Sequence, residues 1–493
     1  MNFKEVISKY FKYIVLVVLL YMPIFGHLDA LTIQIWDESR VAINAYEMSK
    51  NGDFLVPTFD GSPDMWNTKP PLLVWIQVAF MKVIGVNELS VRLPSAFATF
   101  FTCIALLLFL LRYIKQFWFG FIAVIVLITS WGYVSNHGTR TGDYDALLTF
   151  FTTISSLLFF AFVETKKNKF LYLFFIATAL AVLTKSIAGL LFVPAMVIYI
   201  IWQKQFLNLL KNKHFYFGLA YFLFLTLGYY FLREMKNPGY IDTVMKNEFG
   251  GRYLDVIESH KHGFWYYYDN FIEFQLSAWY LLVPLGLIVG LLYINPKINR
   301  ITLFSSLMVL TFLIVISISK TKLVWYDVPM YPFLAILIAV FLFFIFEQIK
   351  NFQWINKTLK KNVLPFVFLY MVAITPYQRI VNKTYLPQKT PWVNDYYEMT
   401  HYLKEAVKGY QNIDNYVLAI DGYCAQNKFY VNLLNEKNAK ITFKYWVYLA
   451  NGDKVIAYQK KVKDYITINY NFKIISENGN ITKYDIIERK QLN

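Results

Sequence analysis

The sequence predicts a polytopic α-helical membrane protein with about eleven transmembrane helices and a small C-terminal α/β domain. Apolar residues make up 57% of the 493 positions, far more than one or two soluble cores can bury. The excess must therefore face lipid. Apolar windows of roughly 15 to 20 residues also recur along the chain, which is close to the length that a helix needs to cross the hydrocarbon layer.

Eleven windows are apolar enough to predict membrane-crossing helices. They are Tyr13–Gly26, Leu93–Leu111, Phe117–Val134, Ala146–Val163, Phe170–Leu183, Ile187–Trp202, Phe215–Leu232, Ala278–Ile294, Ile301–Ile318, Val328–Phe346 and Val363–Thr375. Only Thr184, Lys185 and Ser186 separate the short fifth and sixth windows, so these form either a tight hairpin or parts of one broken element. No small-residue cleavage site follows the first window, which predicts an uncleaved first span.

The net charge of +16 predicts orientation in a membrane and not nucleic-acid binding, because most lysines and arginines fall in alternate short connections. This positive-inside pattern places the N-terminus in the cytoplasm. After an odd number of crossings the C-terminal segment lies outside, as in a multi-pass protein of the bacterial inner membrane. Cys103 lies within a span and Cys424 in the C-terminal segment, so no disulfide framework is expected.

Two long outer loops, residues 26–92 and 233–277, hold polar residues that the spans exclude. In the first loop, residues 37–50 have helical spacing and no proline. Residues 70–85 are apolar but interrupted by polar side chains, which predicts an interfacial helix along the membrane surface.

The composition changes after Thr375 to a mixed polar chain with strand-prone stretches at Tyr416–Ile420 and Lys454–Tyr458. The sequence therefore predicts two domains. The transmembrane domain comprises residues 1–378, and the outer, periplasmic α/β domain comprises residues 379–493.

Carboxylates at the outer ends of helices are the first candidates for catalysis, because ionisable groups near lipid are costly to keep. Asp37 and Glu38 directly follow the first span. A match to the helix dipole explains such a pair equally well. Asp143 and Asp145 lie at the outer mouth of the fourth span and resemble a metal- or nucleotide-sugar-binding Asp-x-Asp, although solvation of a loop also accounts for them.

Basic and aromatic residues in further outer segments are candidates for binding an anion. Lys69 precedes Pro70 and Pro71, which stiffen the backbone and hold the lysine in an extended segment. An ordinary juxtamembrane lysine or an interfacial aromatic belt explains these segments without a site. The i, i+2 spacing of His260 and His262 fits neither a helix face nor a zinc pattern. The other candidates of this kind are Trp66, Lys185, Arg252, Lys320, Lys322 and Tyr326.

Several short motifs follow one another in a specific order. They are Trp36-Asp37-Glu38-Ser39-Arg40, Glu47-Met48, Gly52-Asp53, Thr68-Lys69-Pro70-Pro71, Gly85-Val86-Asn87-Glu88, Arg92-Leu93-Pro94, Asp145 before an apolar span, Leu183-Thr184-Lys185, His260 before Phe264-Trp265-Tyr266-Tyr267, and Lys320-Thr321-Lys322-Leu323 with Tyr326. In this order they resemble the bacterial dolichyl-phosphate-mannose-protein mannosyltransferase-like family, which includes the aminoarabinose transferases of lipid A. The resemblance covers roughly Tyr13 to Pro332.

The resemblance implies the GT-C architecture: a multi-helix membrane bundle with two surface helices in the first outer loop and an active site at the outer face. It also implies an inverting glycosyltransferase that takes its sugar from a polyprenyl-phosphate carrier. By position, Asp37 and Asp145 match the family's first-loop and second-loop aspartates, and three residues match groups around the donor phosphate. These three are Lys69, Arg252 and Tyr326. Candidate site-lining residues are Glu38, Asp143, Trp66, Lys185, His260, Lys320 and Lys322.

One departure from the family concerns metal. Aminoarabinose transferases carry a glutamate just before the lysine and a histidine shortly before the arginine, and these can hold zinc. Thr68 and Phe249 stand there in this chain. The sequence therefore argues against this zinc site and against an aminoarabinose substrate. It assigns no metal ligands and no certain cofactor, and leaves a divalent metal open.

The chemistry implied by the resemblance needs two kinds of group. Cations must stabilise the leaving phosphate, and a base must accept the proton of the acceptor hydroxyl. Asp37 is the first choice as base, with Asp145 sharing that role or orienting the acceptor. The expected partners are the donor, a lipid or protein acceptor and membrane lipids, and not nucleic acid.

Two other functions compete with an enzyme: a transporter or flippase of a polyprenyl-linked sugar, and a non-catalytic assembly protein. A transporter should bring polar or broken helices to the bilayer midplane. The ionisable residues of this chain cluster at the outer ends of the spans instead, which favours an enzyme.

Overall fold

In a computed structural model, the chain folds into a bundle of apolar helices followed by a small C-terminal domain with a mixed sheet. The structure describes residues 3–135, 137–254, 260–351, 363–385 and 391–491. The predicted fold class, a polytopic helical protein with a C-terminal α/β domain, is confirmed.

Seven described helices are long and apolar enough to cross a membrane. They are Glu88–Ile114, Tyr144–Thr165, Asn168–Leu190, Lys213–Lys236, Pro296–Ile318, Val324–Asn351 and Val363–Thr384. Five shorter apolar helices are Tyr10–Phe25, Leu72–Ile84, Phe117–Ile128, Val193–Trp202 and Leu282–Leu291. Every predicted window coincides with one of these helices, and Leu72–Ile84 is the predicted surface helix. The number of eleven crossings stays a prediction, because four of the matching helices belong to the shorter group.

The fifth and sixth windows form two helices joined by a tight turn. The first helix ends at Lys185, a 3-10 turn follows at Ser186–Leu190, and the next helix begins at Val193. Ser186 has a φ of 50°, a left-handed conformation that a helix cannot continue through. Lys185 therefore stands at the break between the two helices.

The first outer loop contains the two helices predicted for it, Asp37–Asn51 and Leu72–Ile84, and a short hairpin of Thr58–Phe59 with Ser62–Pro63. The helix Asp37–Asn51 begins with two carboxylates in its first turn, which suits the positive end of the helix dipole. It ends at Gly52, whose left-handed φ of 71° closes the last turn.

Shorter helical segments complete the membrane domain. They are Trp131–Val134, Phe206–Leu210, Tyr240–Val244, the π-helix Met245–Leu254, Tyr266–Asn270, the π-helix Phe271–Gln275 and the 3-10 helix Val324–Met330, which runs into Tyr331–Asn351. The first helix extends from Phe3 to Phe25, and the last membrane helix from Val363 to Tyr385. The predicted domain boundary after residue 378 lies inside this last helix.

The C-terminal domain is a five-stranded sheet covered by helices. In chain order its strands are Val417–Ile420, Thr442–Tyr445, Lys454–Ala457, Tyr470–Asn478 and Ile481–Arg489, and its helices are Pro391–Val407, Ala425–Glu436 and Lys460–Asn469. The first three strands are parallel, with the first in the centre, and the last two form an antiparallel hairpin that joins at the third strand. Both strand-prone stretches named above are strands.

The C-terminal domain packs directly on the first outer loop. The hydroxyl of Tyr430 donates to Glu88 (2.6 Å) and accepts from the backbone N–H of Ile33 (3.1 Å). The ring of Tyr423 stacks on Trp36 at 4.7 Å between centroids and 6° between planes. These contacts hold the segment that leads into the first-loop helix.

Candidate active site

Four residues singled out from the sequence line one cavity of about 110 Å³. Lys69, Asp145, Lys185 and Tyr326 contribute polar groups, together with Glu248 and Ser319. We call this the charged cavity. Most of the remaining wall is apolar, formed by Leu148, Ile187, Ala188, Leu191, Phe312, Val315, Ile316 and Pro329. A pocket of this kind suits a ligand with a charged head and a hydrocarbon tail.

Asp145 and Lys185 form a buried ion pair within the charged cavity. The Lys185 Nζ lies 2.5 Å from Asp145 Oδ1, and the two side chains are only 11% and 4% exposed. Lys185 Nζ also lies 5.4 Å from the centroid of the Tyr326 ring. One oxygen of Asp145 is thus bonded to an ammonium group and is not open to an acceptor hydroxyl.

Lys69 is positioned by the residue before it and by the prolines after it. The Thr68 carbonyl accepts a hydrogen bond from Tyr240 (2.7 Å), and the Thr68 hydroxyl donates to Glu248 (3.0 Å). The Lys69 ammonium lies 5.3 Å from the centroid of the Tyr144 ring and is largely buried. The second outer loop therefore fixes the lysine of the first.

A second group of polar residues joins the first-loop helix to the loop before Tyr144. His137 Nδ1 lies 3.3 Å from Asp143 Oδ2 and 3.9 Å from Asp37 Oδ2. The His137 ring stacks on Trp325 at 3.6 Å and 1°. We call Asp37, His137 and Asp143 the carboxylate–histidine cluster. Asp37 is about half exposed, whereas Asp143 is buried.

The protonation of Asp143 is sensitive to its neighbours. Burial, with the carboxylates of Asp37 and Glu38, raises the pKa of Asp143 to about 6, against the opposing effects of His137 and the Thr141 hydroxyl. That hydroxyl donates to Asp143 at 2.6 Å. A carboxyl group with this pKa changes its protonation state close to neutral pH, as proton-transfer groups do.

The charged cavity and the carboxylate–histidine cluster are adjacent, because consecutive residues serve both. Trp325 stacks on His137, while Tyr326 lines the cavity. In the same way Asp143 belongs to the cluster and Asp145 to the cavity. A donor phosphate in the cavity and a base in the cluster would therefore lie on two sides of one substrate.

Glu38 and Trp66 lie apart from the cavity. Both oxygens of Glu38 accept from the buried guanidinium of Arg92, at 2.7 and 2.9 Å, and one also accepts from the backbone N–H of Gly142. Glu38 therefore links the first-loop helix to the second span. The Trp66 side chain is 54% exposed.

The remaining candidates lie on two segments that meet. Lys261 and Thr321 form an isolated antiparallel bridge, which places His260 next to Lys322. The Lys322 ammonium is turned inward and donates to the carbonyls of His262 and Ser319, and its burial lowers its pKa. Neither His260, Lys320 nor Lys322 lines the charged cavity. The Arg252 backbone lies in the π-helix, but its side chain is outside the part of the chain that the structure describes.

The residues at the implied zinc position do not fit zinc. A threonine hydroxyl is not among the usual zinc ligands, and that of Thr68 donates to Glu248. Within the described residues, one group has the composition of a metal site. It is the carboxylate–histidine cluster, whose ligand atoms lie within 4.8 Å of one another. Carboxylate oxygens and an imidazole nitrogen together suit a divalent transition metal.

His137 and Glu248 are site residues that the sequence analysis did not identify. His137 lies between the third window and the Asp-x-Asp pattern, with a φ of 65° that is uncommon for a residue other than glycine. The sequence carries no sign of that backbone conformation. Glu248 begins the second-loop segment that contains Arg252, and its proximity to Thr68 depends on packing across 180 residues.

Comparison with known proteins agrees with the family predicted from the sequence. The model of the dolichyl-phosphate-mannose-protein mannosyltransferase family matches residues 68–230. The predicted family resemblance is confirmed. An uncharacterized protein of Aquifex aeolicus is 30% identical over 342 residues, 69% of this chain and 63% of that protein. An undecaprenyl phosphate-alpha-4-amino-4-deoxy-L-arabinose arabinosyl transferase of Shewanella sediminis is 28% identical over 320 residues, 63% of this chain and 56% of that protein. The chain thus spans less than two thirds of the length of either relative.

Solved structures share the fold. The crystal structure of ArnT from Cupriavidus metallidurans bound to undecaprenyl phosphate has a TM-score of 0.71 at 16% identity, over 97% of this chain and 98% of that chain. The Archaeoglobus fulgidus oligosaccharyltransferase has a TM-score of 0.52 at 9% identity, over 88% of this chain and 64% of that chain. The chain therefore has the GT-C fold and is a multi-pass membrane protein.

Proposed function

We propose that this chain is an inverting glycosyltransferase that moves a sugar from a polyprenyl-phosphate carrier to a lipid or protein acceptor. The observation that carries the proposal is the charged cavity, in which two lysines, two carboxylates and a tyrosine hydroxyl lie beside apolar walls. A phosphate on a long hydrocarbon tail has this combination of properties. The names of two similar proteins agree with it, since one is called an undecaprenyl phosphate arabinosyl transferase and the other is bound to undecaprenyl phosphate.

In this mechanism the donor phosphate is the leaving group, so no acid need protonate it. Lys69 and Tyr326, joined by Arg252 on the basis of the sequence motif, stabilise the charge that develops as the bond to the sugar breaks. Lys185 is balanced by Asp145 and so adds no net charge to the cavity. We assign this pair to shaping the cavity and orienting the acceptor.

Asp37 is the base that accepts the proton of the attacking hydroxyl. Its side chain is half exposed, and an incoming acceptor can reach it from the outer side of the first loop. His137 and Asp143 lie beside Asp37 and can orient it or receive the proton in turn. Attack on the face opposite to the phosphate inverts the anomeric configuration.

The proposed orientation places this site at the outer face of the bacterial inner membrane. The cytoplasmic N-terminus and the outer C-terminal domain follow from the basic short connections on alternate sides. The C-terminal domain packs on the segment before Asp37, and its Tyr423 stacks on Trp36. It therefore borders the route by which an acceptor reaches the base.

The decisive test is carrier binding by the Lys69→Met variant. The substitution keeps the apolar stem but removes the ammonium, and a hydrogen bond to a charged group contributes roughly 1.5 to 3 kcal/mol. The affinity of the purified full chain for undecaprenyl phosphate should then fall by about ten- to a hundredfold. Lys82→Met is the matched control, because Lys82 is an exposed lysine of the same loop.

Undecaprenol, which lacks the phosphate, separates charge from packing. Its binding should be the same in wild-type and Lys69→Met protein. The proposal fails if Lys69→Met binds undecaprenyl phosphate as tightly as Lys82→Met does, at equal thermal stability of the two variants.

A further inference from the structure

A second cavity, of about 340 Å³, lies between the first helix and the helix Val363–Tyr385. Its lining is almost entirely apolar and includes Leu19, Phe121, Leu342 and Phe366. It shares no residue with the charged cavity. The walls accept hydrocarbon and offer very little to a polar ligand.

A smaller polar cavity of about 140 Å³ lies next to the apolar cavity. Trp279 lines both, and the indole N–H of Trp279 donates to Thr129 (3.1 Å). Arg379 and Lys383, one helical turn apart, line the polar cavity. Lys383 Nζ lies 3.8 Å from the centroid of the Trp131 ring, so the cation is held over a fixed surface.

The lining of the polar cavity carries a net positive charge. Two cations face one carboxylate, that of Glu273, on the lining of the polar cavity. Across the described residues, neither Arg379 nor Lys383 forms an ion pair with an acidic side chain. A cationic polar cavity next to an apolar cavity is complementary to an anionic head group with a hydrocarbon chain.

The apolar cavity is about as long as one leaflet of the hydrocarbon core is thick. Phe366 and Tyr377 line it eleven positions apart on a single helix, which corresponds to about 16 Å of rise. Half of a hydrocarbon core of roughly 30 Å has nearly this depth. The polar cavity is also at the same end of the bundle as the carboxylate–histidine cluster, because Trp131 begins the short helix that leads to His137.

We propose that these adjacent cavities are a binding site for one anionic phospholipid of the outer leaflet. An acyl chain occupies the apolar cavity, and Arg379 and Lys383 bind the phosphate. The lipid fills the gap between the last membrane helix and the bundle, since only 17% of the residues in the apolar window of that helix are buried by protein. This site is separate from the proposed donor site and does not depend on the proposed reaction.

The test compares lipid retention by native mass spectrometry of the full chain released from nanodiscs. The discs contain phosphatidylglycerol and phosphatidylethanolamine with identical acyl chains. Wild-type protein should retain one phosphatidylglycerol in preference to phosphatidylethanolamine. Arg379→Gln/Lys383→Gln should weaken that preference by roughly thirtyfold. Each basic side chain near an anionic lipid accounts for roughly fivefold in affinity, and the two factors multiply.

Two further variants control this result. Lys211→Gln/Lys213→Gln removes the same charge from exposed lysines elsewhere and should keep the preference. Ala373→Phe fills the apolar cavity without changing charge and should abolish retention, while undecaprenyl phosphate binding stays at the wild-type level. If the double glutamine variant does not fold, Ala373→Phe decides the question.

Equal retention of the two lipids by wild-type protein would overturn the proposal and indicate bulk lipid only. Unchanged retention by Ala373→Phe would overturn it as well. Displacement of the retained lipid by undecaprenyl phosphate would assign the two cavities to the carrier instead.

Discussion

Substitution of Asp37 by asparagine tests the proposed base most directly. The change keeps the size of the side chain and most of its hydrogen bonding but removes the carboxylate that accepts the proton. General-base catalysis contributes about 100-fold or more, so single-turnover transfer should fall by at least about that factor, equivalent to roughly 3 kcal/mol of activation free energy. Donor binding should be kept, because Asp37 does not line the charged cavity.

The structure also limits how far a neighbour can replace Asp37. Asp145 is bonded to Lys185 at 2.5 Å, so it is a poor substitute. Asp143 contacts His137 at 3.3 Å and is buried. Loss of the Asp37 charge removes one of the causes that raise the pKa of Asp143, which makes Asp143 a weaker base than it is in the wild-type protein. The defect should therefore not be masked.

The assay is single-turnover transfer from a preloaded polyprenyl-phosphate sugar, measured beside carrier binding. Asp29→Asn is the matched control, since Asp29 is an exposed aspartate of the same loop. Both variants must unfold at the wild-type temperature. Near-normal transfer by Asp37→Asn would refute the assignment, and a loss in Asp145→Asn/Lys185→Met alone would move the role to Asp145.

Three other expectations follow from the structure and the sequence. Reporter fusions after Lys115 and after Gly409 should report opposite sides of the membrane, and reports from one side would refute the eleven-span topology. Transfer by the purified protein should not require zinc, because the implied zinc position holds Thr68; full loss of transfer on chelation that zinc alone restores would refute this. Asp143→Asn should make stability less dependent on pH. The Asp143 pKa of about 6 in place of 3.8 means that wild-type protein loses up to about 3 kcal/mol as pH rises through that interval, whereas the variant loses none of it. Parallel thermal unfolding curves of the two proteins from pH 4 to pH 7 would contradict this.

The sequence alone did not show which of the polar candidates belong to the same site. Lys69, Asp145, Lys185 and Tyr326 were identified one by one, as charged or hydroxyl groups at the outer ends of apolar windows, and the structure gathers them in one cavity. Glu38 belongs to the same short motif as Asp37, yet it is bound by Arg92, 54 residues further on. Neighbours in sequence on a helix point in different directions, so one faces the cluster and the other the second span.

The sequence by itself determined the helical membrane architecture, because lipid demands long apolar stretches and a solvated chain does not tolerate them. It also indicated an interruption at residues 184–186 and two of the five strands of the C-terminal domain, which depend on local composition. Only the tertiary structure decided the ion pair of Asp145 with Lys185, the contact of Glu248 with Thr68 and the place of His137 between two aspartates. Such pairings depend on which helices pack together and at what rotation. Periodicity records which face of a helix is apolar, and it carries no information about the partner that this face will meet.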